Sequence, residues 1–225
     1  MKVLLLAFLV FSGSCLPAQT DNLALLKETE VKLKSSAASV SDILTDKKYM
    51  FLHPSTPFRE MIKQYSTTAV LKVATAQEPG KKIRVMGVIK NKDGQPVAGA
   101  LVYLYQTDAR GWYAADVPHV LGNEGDTRHA RLFGYVKTGK DGSFEMQTVK
   151  PSGYPQSDLP AHIHVHITAE GYTTLVNEFL FDDDERLTGT IREQSVRNRF
   201  FISKPGKPVA TFVQQFSYIV QLEKK

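Results

Sequence analysis

From position 82 onward the chain is written in period two. Residues 83–89, 100–105, 132–137, 143–148, 162–168, 174–181 and 212–222 are short apolar or alternating runs. Alternation at that period sends successive side chains to opposite faces of an extended chain, so each run predicts a strand with at least one buried face. Asp93-Gly94 and Asp141-Gly142 supply hairpin turn chemistry between runs. No helical pattern of βαβ length intervenes, so the expected architecture is mainly β, an antiparallel β-sandwich.

The preceding segment has a different period. Leu23, Leu26 and Leu33 lie near one helical stripe, and Phe58, Met61, Ile62 and Tyr65 keep the i, i+3, i+4, i+7 spacing. Two short helices are expected, the second capped by Thr56 with Pro57 at its first position, and residues 35–41, small and polar, read as a loop between them. Hydrophobic residues at 42% and charged residues at 23% supply a core and exclude a disordered chain. The expected organisation is a leader over 1–18, a helical extension over 19–80 and one sandwich domain over 81–225.

The leader is Met1, Lys2, an apolar run over 3–11, then small residues up to Ala18. That is a secretory signal, too short to span a bilayer. Cleavage after Ala18 predicts an exported protein, periplasmic or secreted. The alternative is a lipid-anchored lipoprotein, because Ser12-Gly13-Ser14-Cys15 resembles a bacterial lipobox. Cys15 is the one cysteine, which excludes an intrachain disulfide and a catalytic thiol in the mature chain. The net charge of +5 is scattered, without aromatic–basic interleaving, so no nucleic-acid partner is expected.

Chemistry concentrates at His162-Ile163-His164-Val165-His166. On a strand these histidines share one face, with neighbouring same-face Cα atoms about 6–7 Å apart, a separation two imidazoles bridge by converging on one metal. A polar solvent face of a half-buried strand produces the same pattern. So does a three-histidine zinc hydrolase site built from His162, His164 and His166. His53, His119 and His129 stand alone in expected loops and read as surface groups. The run Asp182-Asp183-Asp184-Glu185 reads as a solvated turn, since it lacks the alternating ligand spacing of a calcium loop.

Several further motifs occur in a fixed order. Gly99-Ala100 enters a strand, Gln106-Thr107-Asp108 leads to Gly111-Trp112-Tyr113, a hairpin runs from Gly134 to Asp141-Gly142, and Pro151-Ser152-Gly153-Tyr154 precedes Pro160-Ala161-His162-Ile163-His164 and Phe179-Leu180-Phe181. Over residues 82–185 this order resembles the catalytic core of the intradiol ring-cleavage dioxygenases, the catechol and protocatechuate dioxygenases. The resemblance implies an Fe(3+) enzyme on a β-sandwich, with Tyr113, Tyr154, His162 and His164 holding the ion together with a hydroxide. Phenolate is a hard anionic donor suited to a trivalent ion, and two phenolates plus hydroxide neutralise it. It further implies that a catechol binds as a dianion, displacing the hydroxide and Tyr154, and reacts with O2 to give a muconate-type diacid. Those partners place the chain in aromatic compound catabolism.

Trp112, beside Tyr113, is a candidate pocket wall, and His166 a supporting or solvent-facing group. The family carries an arginine three residues before the first histidine, where this chain has Leu159; Arg128 and Arg131 are the candidate replacement cations. The opening Asp93 to Ala100 is also similar to transthyretin-like and carboxypeptidase-regulatory sandwiches, which are binding modules. Tyr113 and Tyr154 discriminate, having no necessary role in either rival.

Overall fold

Strand β2 (Lys82–Asn91) buries every second residue in the computed structural model, which describes residues 17–114 and 130–225. It lies between β5 (Ser143–Val149), antiparallel to it, and β9 (Gln214–Leu222), parallel to it. The two-residue strand β1 (Leu71–Lys72) adds parallel to β5, completing a sheet in the order β1-β5-β2-β9. The second sheet runs β4-β3-β6-β7-β8, from β4 (Leu132–Lys137), β3 (Leu101–Gln106), β6 (His162–Thr168), β7 (Leu175–Phe181) and β8 (Phe201–Ser203).

The mainly β, two-sheet architecture is as expected, but both sheets are mixed rather than antiparallel. Pairings β2·β5, β3·β4, β3·β6 and β6·β7 are antiparallel, while β1·β5, β2·β9 and β7·β8 are parallel. Helix α4 (Gly189–Arg197) carries the chain back so that β8 runs in the same direction as β7. This crossover has no sequence signal of the usual kind, because α4 buries only Ser195 and shows no apolar stripe.

Aromatic rings join the sheets. Phe179 of β7 stacks on Tyr218 of β9 with centroids 4.1 Å apart and lies parallel to Phe144 of β5, and Phe181 meets Phe216 edge-on at 4.6 Å. Each fully buried ring of this kind contributes about 1.5–3 kcal/mol. Gly87 makes room for them, since a Cβ there would collide with the Phe144 ring opposite.

The N-terminal part comprises α1 (Pro17–Lys34), α2 (Val40–Thr45), a 3-10 turn (Lys47–Leu52) and α3 (Thr56–Gln64). Helix α2 occupies part of the expected loop. Its sequence signal is the capping box Ser39–Asp42, in which each side chain accepts the other's backbone N–H. The cap position of α3 is Ser55 rather than Thr56, and Leu23 of α1 is 53% exposed rather than part of a buried stripe. Phe58 and Ile62 of α3 are fully buried, with Phe58 packed against Phe133 of β4.

His53, expected at the surface, is 2% exposed. The 3-10 turn folds it onto Phe58, stacked at 5.3 Å, where its Nδ1 donates to the Arg131 carbonyl at 2.7 Å. Burial pushes its pKa down to about 4. The acidic turn after β7 is likewise held rather than solvated. Asp182 pairs with Arg192, Asp183 accepts from Lys150 and Gln214, and Asp184 accepts the Ala161 N–H. Among the described residues no helix is long and apolar enough to cross a membrane. Cys15 and the rest of residues 1–16 lie outside the described residues, as do His119, Arg128 and His129.

Candidate metal centre

His162 and His164 project from the start of β6 on one face, while Ile163 and Val165 fill the core on the other. The Nδ1–H of His162 donates to the Pro160 carbonyl at 2.8 Å, which leaves the Nε2 of the neutral ring as a lone-pair donor. The ring of His164 lies flat on Tyr105, its neighbour in the β3·β6 ladder.

Tyr113 arrives from the loop after β3. Asp108 builds that loop: its carboxylate accepts the N–H groups of Arg110 and Trp112, and its own N–H donates to the Trp112 carbonyl. Gly111, at φ +84°, packs so closely on the Gly153 carbonyl that a Cβ would collide with it. This approach docks the Tyr113 loop on the Tyr154 loop, and Thr107 Oγ1 donating to the Ser152 carbonyl at 2.7 Å tightens the same contact. Tyr154 is 1% exposed. Arg186 reaches in from the turn after β7 and donates through Nη1 to the carbonyls of Tyr154 and Leu159.

The four side chains converge. Tyr113 Oη lies 2.6 Å from Tyr154 Oη and 2.9 Å from His164 Nε2. Tyr154 Oη lies 3.0 Å from His162 Nε2 and 3.3 Å from His164 Nε2, and the two Nε2 atoms are 3.1 Å apart. A first-row transition ion takes N and O donors at about 2.0–2.1 Å, which spaces donors around it by about 2.9–3.4 Å at octahedral to tetrahedral angles. All but the 2.6 Å contact between the two tyrosine oxygens fall in that range, and the donor set suits a hard trivalent ion. Burial raises the Tyr113 pKa, with the Tyr154 hydroxyl adding to the effect, so its phenolate needs a cation beside it to form.

His166 does not join them. Its ring sits edge-on to Tyr103 and Tyr105 at 5.6 and 5.9 Å, and burial lowers its pKa. The carboxylate of Glu178, rather than His166, completes a potential metal-ligating group with His162 and His164. The pocket candidates separate. Leu159 is 44% exposed, and the Trp112 ring is covered by the Arg110 guanidinium at 4.2 Å. Arg131 makes two 2.7 Å bonds to the Glu78 carboxylate and lies 3.7 Å from Asp108, so its charge is already neutralised. The sequence reading missed Tyr105, Glu178 and Arg186.

A family profile described as dioxygenase matches residues 56–223. A chlorocatechol 1,2-dioxygenase from Rhodococcus opacus is 30% identical over 129 residues, covering 50% of this chain and 48% of its own length. A 6-chlorohydroxyquinol 1,2-dioxygenase from Cupriavidus pinatubonensis is 36% identical over 124 residues, covering 48% of this chain and 42% of its own. The chain thus spans less than half the length of these curated relatives. The crystal structure of 3-chlorocatechol 1,2-dioxygenase from Rhodococcus opacus 1CP superposes with a TM-score of 0.54 over 92% of this chain and 99% of that one, at 18% identity, a likeness of fold.

Proposed function

The chain belongs to the intradiol ring-cleavage dioxygenase family, and from that premise we propose that it is itself an Fe(3+) enzyme that opens a catechol between its two hydroxyl-bearing carbons with O2. Catechol plus O2 balances to a muconate-type diacid, with both oxygen atoms retained in the product. The observation that carries this reading is the convergence of Tyr113 Oη, Tyr154 Oη, His162 Nε2 and His164 Nε2.

When bound, a ferric ion supplies a Lewis acid for the two catechol oxygens and a route for the ring's electrons toward O2. The protein's own contribution is orientation and proton management. Tyr113, His162 and His164 would hold the ion throughout, while Tyr154 would leave the donor set and its Oη would take a substrate hydroxyl proton. Its carbonyl is tied to Arg186, so the ring moves on a fixed backbone. Pro160 fixes the His162 tautomer, and Tyr105 prevents the His164 ring from tilting. Residues 1–18 serve as an export signal in this reading, on the pattern of Lys2 followed by an apolar run.

The test is to load the protein with Fe(3+), record the visible spectrum and follow O2 uptake with a panel of catechols. A phenolate-to-iron charge-transfer band and one O2 consumed per diacid formed are expected. Colourless protein with stoichiometric zinc, or ring-opened semialdehydes in place of diacids, would overturn the reading.

A further inference from the structure

Glu178 stands opposite His164 in the β6·β7 ladder, and its Oε1 lies 3.7 Å from His164 Nδ1. The His164 ring is therefore bounded on three sides. Tyr105 covers one face, the carboxylate faces Nδ1, and Nε2 points among Tyr113 Oη, Tyr154 Oη and His162 Nε2. The two histidines differ in what stands behind them. His162 leans on a neutral carbonyl at 2.8 Å, whereas His164 faces an anion.

A carboxylate facing a metal-binding imidazole favours the proton on Nδ1 and makes Nε2 a stronger donor, and at 3.7 Å Glu178 acts through its charge rather than a formed hydrogen bond. It also changes the charge of the centre. Two phenolates and a hydroxide would already balance a trivalent ion, so the carboxylate adds a negative charge beyond balance, which disfavours a divalent ion more than a trivalent one. Glu178 is half-buried in the middle of the strand Leu175–Phe181.

We propose that Glu178 is the outer carboxylate of the metal centre, a positioning residue that orients His164 and adds a negative charge favouring a trivalent over a divalent ion. This rests on the ferric reading above.

The experiment compares the Fe(3+)-loaded protein with its Glu178→Gln and Glu178→Asp variants, by visible spectroscopy and by competition of Fe(3+) against Zn(2+). Glu178→Gln keeps the shape and removes the charge. It should move the phenolate-to-iron band to longer wavelength, because the ion becomes more electron-poor, and should cut the preference for Fe(3+) by about 10- to 100-fold. Glu178→Asp should retain most of both properties. An unmoved band with unchanged metal preference in Glu178→Gln overturns the proposal, as does equal loss in both variants together with a lowered unfolding midpoint of the metal-free protein. A wild-type protein that shows no band with Fe(3+) overturns the ferric reading and this inference with it. A normal wild-type band that Glu178→Gln leaves in place removes only the role of Glu178.

Discussion

Tyr105 lies flat against His164, ring centroids 4.4 Å apart and planes within 12°. The hydroxyl is not what makes this contact, so Tyr105→Phe should leave Fe(3+) affinity unchanged within about twofold. Tyr105→Leu removes a stacked pair worth about 0.5–1.5 kcal/mol, and should weaken affinity by roughly two- to tenfold, measured by chelator competition. Equal affinity in all three proteins would show that the ring is held by other means.

Arg186 ties the loop between Tyr154 and His162 to the turn after β7, and Asp184 in that turn accepts the Ala161 N–H as well as the Arg186 N–H. Arg186→Ala should release the Tyr154 backbone and speed extraction of the metal by a chelator by roughly tenfold, with Arg186→Lys intermediate, since a charged hydrogen bond of this kind contributes about 1.5–3 kcal/mol. Stopped-flow bleaching of the visible band reads the rate. Identical rates in all three proteins would refute the tether.

Arg59 is 5% exposed and donates to the carbonyls of His53 and Ala130 and to the Tyr103 hydroxyl, with its guanidinium 3.6 Å over the Phe133 ring. Arg59→Met should cost roughly 3 kcal/mol or more in urea unfolding, because it strands buried acceptors. A loss below about 1 kcal/mol would mean that water replaces the guanidinium.

His53 gives stability a pH dependence of definite sign. Its folded pKa of about 4 lies below the ordinary 6.5, so the unfolded chain binds the extra proton and stability falls as pH drops from about 6.5 toward 4. Between pH 7 and pH 5 the wild type should lose roughly 2 kcal/mol more than His53→Gln. Parallel pH profiles for the two proteins would refute this.

Leu159 and Arg131 separate two roles for a cation. Arg131 is committed to Glu78, so Arg131→Ala should lower the unfolding midpoint and leave the ratio of turnover on different catechols within about twofold of wild type. Leu159→Arg should raise turnover on unsubstituted catechol, by supplying the fixed positive charge that Leu159 lacks. Urea unfolding reads the stability loss in Arg131→Ala, and steady-state O2 uptake with purified variants decides the turnover effects.

The parts of the fold legible in the sequence are those whose signal is local. Strands 132–137 and 162–168 have the expected bounds, because alternation and flanking turn residues sit within the segment itself. Tyr113 and Tyr154 come to the histidines from separate loops, and only the order of motifs pointed to them. Tyr105 and Glu178 reach the centre through cross-strand register with His164, which no local pattern encodes, although a glutamate inside an apolar strand is an anomaly that marks the position. The strand over 214–222 is legible, but its parallel pairing with β2, like that of β8 with β7, is not, because a strand's own sequence does not say which way its neighbour runs.

The pairing of β2 with β9 bears on how the chain comes into being. Every residue from Ile83 to Asn91 has a partner between Gln214 and Leu222, so one edge of β2 stays open from its synthesis until the end of the sandwich has been made. Contacts this distant in sequence are slow to form, and an unpaired apolar edge invites association with other chains. Pairing of this sheet therefore completes only after β9 has emerged. In a test tube that delay should make refolding yield fall as protein concentration rises.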